Sequence, residues 1–182
     1  MKIKLIDNVF VLALLVFMCS APVTSAFADT DKSDLVVAMK TLPLLANKIV
    51  GMAKIAVIFD ANNADSKQEA THIKNIIESG LEIPGDIKLV AILVPVTSLQ
   101  DISGKQIAIL TDGLSKYYDA INQLAINNHV LTMSTDLVCV HANKCILGII
   151  SQPKVEIYYS KQAADAAQVS FGPVFSMLVK QL

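Results

Sequence analysis

Residues 54–60 read KIAVIFD, an almost unbroken apolar run closed by an aspartate. A strand without polar alternation is buried on both faces, as happens in parallel sheets covered by helices on each side. Three further runs share this character: KLVAILVPV at 88–96, QIAILT at 106–111 and VLTMST at 130–135. Between the first two lies 64–79, where Ala70, Ile73, Ile76 and Ile77 form one helical stripe that Gly80 ends. Between the last two, Asp112-Gly113 signals a turn, and 114–127 carries Leu114, Tyr118, Ile121, Leu124 and Ala125 on one side. Strands alternating with helices predict an α/β fold, a mostly parallel sheet flanked by helices.

Working outward, residues 29–33 (DTDKS) are polar and expected to fray. Ser33 or Asp34 is expected to cap a helix whose apolar positions are Leu35, Met39, Leu42, Leu45, Ala46 and Ile49. Pro43 should kink this helix and Gly51 end it. Toward the C-terminus, residues 137–140, 145–151 and 154–160 read as three short strands with tight links, one of them turning at Pro153. Short links force antiparallel neighbours, so a C-terminal antiparallel meander is expected beside the parallel strands. An Ala-rich helix at 161–168 follows. The last, at 171–182, repeats Phe171, Val174, Phe175, Leu178, Val179 and Leu182 at helical spacing.

The first 28 residues have a different character. Lys2 and Lys4 precede a wholly apolar run at 9–18, and small residues lead to Ala26-Phe27-Ala28. This order describes a signal peptide spanning 1–28, cleaved between Ala28 and Asp29. The run is about half of the ~20 apolar residues that a membrane span needs. Cys19 follows Met18 rather than a small residue, so it is read as discarded with the leader and not as a lipid attachment site. The remaining chain, 29–182, has no repeat or linker and reads as one domain without direct membrane insertion, sent to the periplasm.

Charge is nearly balanced at −1, and no arginine is present. Nucleic-acid binders carry basic stripes and use arginine to grip phosphate, so nucleic acid is excluded as a partner.

Cys139 and Cys145 are the two cysteines left after cleavage, and an even count in an exported protein favours a disulfide. The bridge would staple a short loop; a redox-labile bridge is the alternative. His141 between them gives C-x-H-x-x-x-C, one ligand short of a tetrahedral zinc site, so no metal is expected. Asp60, Asp112 and Asp136 stand at strand ends, where α/β sheets bind ligands, although Asp also starts turns. Asn62-Asn63 reads as a surface loop. Tyr158 and Tyr159 are adjacent on a strand and must face opposite ways, one to the core and one open to a partner. No nucleophile–base pair or Gly-rich phosphate loop accompanies them, so no catalytic residue and no cofactor are expected, and the chain reads as a non-enzyme.

Residues 104–182 resemble the YfiR family (YfiR- and HmsC-like) of small periplasmic proteins. The resemblance is carried by QIAILT, by VLTMST with the following Asp136, by CILGIIS with Gly148, by KVEIYYS and by AADAAQVSFGPVFSMLVKQL. The chain departs from the family in lacking tryptophan and in placing Tyr158-Tyr159 after the Glu-Ile pair. The resemblance implies a non-enzymatic regulator that binds the periplasmic domain of a membrane signalling protein such as a diguanylate cyclase. It would thereby restrain cyclic-di-GMP production and biofilm formation, with family disulfides implying redox tuning. A homodimer is compatible with this role. The alternative function is a small solute-binding lobe of a transport system, since parallel α/β domains outside the cytoplasm often serve transport.

Overall fold

The computed structural model describes residues 30–81, 84 and 87–182. The expected leader, its Ala28–Asp29 cleavage site and Cys19 lie outside the described residues. The elements are α1 (Lys32–Met39), β1 (Met52–Phe59), α2 (Ala64–Glu78), β2 (Lys88–Pro95), β3 (Ile107–Leu110), α3 (Tyr118–Asn128) and β4 (Leu131–Ser134). They continue as α4 (Leu137–His141), β5 (Leu147–Ile150), β6 (Glu156–Tyr159), α5 (Lys161–Ala167) and β7 (Lys180–Gln181). Short 3-10 turns stand at Leu42–Leu44, Val96–Ile102, Ser115–Tyr117 and Pro173–Met177.

The strands form one seven-stranded sheet in the order β2-β1-β3-β4-β5-β6-β7. All neighbouring pairs are parallel except β5–β6, as the α/β reading requires. β1 is the pivot. Its Ala53, Ile55, Val57 and Phe59 face one core, with Leu35 and Met39 of α1 and Ala70, Ile73 and Ile77 of α2. Its Ala56 and Ile58 face the other, with Leu99, Ile102, Leu114 and Tyr118, Ile121 and Ala125 of α3. The result is a three-layer α/β/α sandwich with a helical cover on each face.

Three local readings are corrected. The polar pattern at 29–33 predicts fraying, yet Thr30 is packed at only 2% exposed. The cap of α1 is Asp31 rather than Ser33 or Asp34, in a reciprocal capping box with Asp34. The helix stops at Met39, so Pro43 falls in the following 3-10 turn and kinks nothing.

Residues 137–140 form a helix and not a strand. The Asp136 carboxylate accepts the Val138 N–H at 2.9 Å, which opens a helical turn that buries Cys139 and Val140. The meander therefore reduces to the β5–β6 hairpin, whose turn contains a cis Gln152–Pro153 bond.

Residues 171–182 do not continue as a helix. Within Pro173–Met177 only Phe175 is buried. Phe171 and Phe175 stack at 3.8 Å between ring centroids, and both meet the edge of Tyr159. The chain then extends so that Lys180 and Gln181 pair with Tyr158 and Tyr159. Backbone groups on β6 would otherwise lie open, and pairing them outweighs the helical pattern.

Gly148 lets α4 lie against β5. A β-carbon there would sit 2.6 Å from Val140 Cγ1 and 2.8 Å from Leu137 Cδ2. Gly148→Ala should therefore cost about 1–3 kcal/mol through overpacking, read as a lower denaturant midpoint. Gly172→Ala, whose new carbon would meet Leu44 O at an ordinary 3.6 Å, should leave the midpoint nearly unchanged.

Candidate functional site

The sheet order places a topological switch between β1 and β3. The chain leaves β1 toward α2 on one face and leaves β3 toward α3 on the other. Their outgoing connections run to opposite faces, and the edge beyond the carboxyl ends of such strands is where open α/β sheets bind ligands. Asp60 follows β1, Asp112 follows β3, and Asp136 follows β4, so the fold brings the three predicted aspartates to one edge.

Beneath that edge lies a lattice of buried hydroxyls. The Asp60 N–H donates to Ser66 Oγ at 3.0 Å, and Ser66 Oγ lies 2.7 Å from Thr111 Oγ1. Thr111 commits its one hydroxyl proton to the Ile58 carbonyl at 3.0 Å, so Ser66 donates to Thr111. Next to it, the buried Glu69 carboxylate accepts from Thr30 Oγ1 at 2.6 Å and from the Asp112 N–H at 2.8 Å. Thr135 in turn donates to Thr30 at 2.9 Å. Ser134 Oγ donates to the Leu110 carbonyl and accepts from the Asp136 N–H, both at 3.1 Å. Buried polar groups that find partners cost little and rigidify their surroundings, and this lattice ties α2, β3, β4 and the N-terminal segment together.

Asp60 stands on top of it. Its Oδ1 accepts the Asn62 N–H at 3.0 Å. Its Oδ2 accepts the Tyr117 hydroxyl at 3.2 Å and the Lys116 ammonium at 3.1 Å. The Asn62 N–H first, and then the Lys116 ammonium, hold the Asp60 carboxyl below the usual carboxylate range. The same contact with Asp60, and then Tyr117, raises Lys116. Tyr118 donates to Asp136 Oδ2 at 2.5 Å. Burial first, with that bond and the charges of Asp136 and Asp112, pushes its phenol pKa strongly upward, so it remains a donor. The loops meet overhead: a β-carbon on Gly113, at φ 77°, would lie 3.2 Å from Asn63 Nδ2.

Asp60 was visible in the sequence, but its companions were not. Ser66 and Glu69 extend the apolar stripe of α2 toward the helix N-terminus, and polar residues on a buried stripe were the available signal. Lys116 and Tyr117 carried no signal, because a 3-10 turn brings them to Asp60. Asn62 and Asn63 do more than line a loop, since Asn63 caps α2.

The remaining predicted residues lie away from this edge. Cys139 and Cys145 are bonded, with Cα atoms 5.3 Å apart, and both are fully buried in the α3-side core. The bridge thus ties α4 to the segment entering β5 instead of closing an exposed loop between strands. His141 is exposed and lies 5.5 Å from the Tyr158 ring. His129 Nδ1 is 3.1 Å from the Ala167 carbonyl, far from the cysteines in sequence and committed to α5. Among the described residues, no group of three or more His, Cys, Asp or Glu side chains is arranged to hold a metal ion. Among them, too, no helix is long and apolar enough to cross a membrane.

No protein-family model matches the chain, and no curated protein matches it. Solved structures do. A conserved domain protein from Vibrio cholerae O1 biovar eltor str. N16961 superposes with TM-score 0.60 at 11% identity, over 82% of this chain and 59% of that one. An ABC domain in complex with L-Trp from Streptococcus pneumonia gives 0.58 at 9% identity, again over 82% and 59%. A ligand-free, open substrate-binding protein with adhesive properties from Clostridium difficile gives 0.55 at 9%, over 86% and 60%. The chain thus shares its α/β fold with these proteins and spans about three fifths of their length.

Two outcomes follow from the site and the bridge. Because the folded pKa of Asp60 lies below the ordinary 3.8, its stabilisation is complete above that value and is lost as pH falls through the depressed one. Asp60→Asn should therefore unfold more readily than the parent at pH 7, and the gap should close below about pH 4, by thermal melts across pH. Replacing Cys139 and Cys145 together by alanine should cost about 2 kcal/mol in denaturant unfolding, and reductant should shift the parent but not the variant.

Proposed function

We propose that this chain is an exported binding domain that holds a small polar solute at the carboxyl edge of its sheet and performs no catalysis. The observation that carries this reading is the caged Asp60 at the β1–β3 switch, supported from below by the Ser66–Thr111 and Thr30–Glu69 hydrogen bonds. Binding sites of this kind are preorganised, with a few polar groups fixed on a rigid scaffold. The shared fold with a substrate-binding protein and with a domain holding L-Trp supports the same reading. A disulfide fits a periplasmic location, reached through the leader at 1–28.

A second reading is favoured by one observation. Val174, Met177, Leu178 and Leu182 cluster in sequence and are each exposed, within the segment that resembles the YfiR family. Such a cluster suits a protein partner, here the periplasmic domain of a membrane signalling protein.

The test is an amide-resolved NMR titration of the mature chain with a periplasmic small-molecule extract. Shifts confined to the amides of Asn62, Gly113 and Lys116 are expected. No shift there, together with recovery of a membrane receptor from detergent-solubilised envelope, would overturn the solute reading in favour of the regulator.

A further inference from the structure

The solute-binding reading leaves the ligand's chemistry open, and the contacts of Asp60 narrow it. The Asp60 side chain is 5% exposed, whereas that of Lys116, which pairs with it, is 65% exposed. The ammonium thus reaches in from solvent on a flexible stem to meet a carboxylate fixed from below. It is held by two features, Asp60 Oδ2 at 3.1 Å and the Tyr117 ring with its centroid 4.8 Å away, while the Tyr117 hydroxyl donates to the same Asp60 oxygen. A carboxylate beside an aromatic face is the chemistry that recognises an ammonium group.

We infer that the switch-point site takes a solute bearing a primary ammonium group, and that Lys116 fills the ammonium position when the solute is absent. This inference rests on the solute-binding reading. The surrounding charges agree with it. The ionisable groups bonded into this edge are Asp60, Glu69, Asp112 and Asp136, with Lys116 and the tyrosines 117 and 118, and the first turns of α2 and α3 add Asp65, Lys67 and an Asp119 paired with Lys144, so carboxylates outnumber cations. An incoming anion would have to draw Lys116 off Asp60 and lie against carboxylates. An incoming ammonium only exchanges with Lys116, keeping Asp60 paired. The exchange is easy, because a solvent-exposed lysine contributes little to an ion pair and regains its hydration when released.

The exchange model makes a prediction of unusual sign: removing the cation should strengthen cation binding. The mature chain is titrated with n-butylammonium and, separately, with butyrate, following the amides of Asn62 and Gly113 by NMR. The parent should bind n-butylammonium weakly and leave butyrate unbound. Lys116→Ala should bind n-butylammonium about two- to fivefold tighter, the gain expected from removing an exposed competing pair. Asp60→Asn should abolish binding. Lys116→Ala decides the matter even if Asp60→Asn folds poorly, since Lys116 is exposed. Butyrate binding that Lys116→Ala destroys, or n-butylammonium binding that it weakens, would overturn the ammonium inference and leave the solute reading intact. If neither probe shifts these amides and the extract titration is also silent, the solute reading falls and the inference falls with it.

Discussion

β1 can be stable only if both of its faces are covered, and most of the molecule follows from that requirement. Side chains on an extended chain alternate between faces, so Ala53, Ile55 and Val57 point one way while Ala56 and Ile58 point the other. Burying both sets requires helices on both sides of the sheet, and parallel neighbours require long crossovers that supply them. With β2 on one flank of β1 and β3 on the other, the crossovers diverge. The switch point at Asp60 is a geometric by-product of that divergence.

What distinguishes this edge from an ordinary loop cluster is how it is supported from below. Hydroxyls and one carboxylate are buried where the apolar stripe of α2 would otherwise continue, and the described hydrogen bonds run from helix to strand to strand. Thr30 enters the same lattice through Glu69 and Thr135, so the first described residue is packed against the site. The capping box at Asp31 and Asp34 holds that segment in position, and Asp34 also accepts the Ser151 N–H.

The C-terminal third solves a different problem. After β5 the chain turns back, ending the run of crossovers, and β6 is left needing a neighbour that β7 supplies. On the α3 side, α4 can approach β5 closely only because Gly148 has no side chain, and the Cys139–Cys145 bridge ties α4 to the segment that enters β5. Gly148 is among the residues on which the YfiR resemblance rests, and here it has a packing role that requires no partner.

Local pattern is enough for the α/β class, the four parallel core strands, the helices flanking them and the placing of aspartates at strand ends. Each of these is a local statement, since apolar runs and periodic stripes depend on neighbours a few residues apart. The rest depends on contacts between distant segments. A short apolar run such as 137–140 fits a strand or a helix equally, and the Asp136 cap with the notch at Gly148 selects the helix. The helical stripe at 171–182 yields to the edge of β6, which no local pattern reveals. The pairing of Asp60 with Lys116 and Tyr117, and of Thr30 with Glu69, joins residues 56, 57 and 39 positions apart, and depends on which strands lie side by side. Side-chain periodicity encodes which face a residue occupies; it does not encode which distant residue will stand across from it.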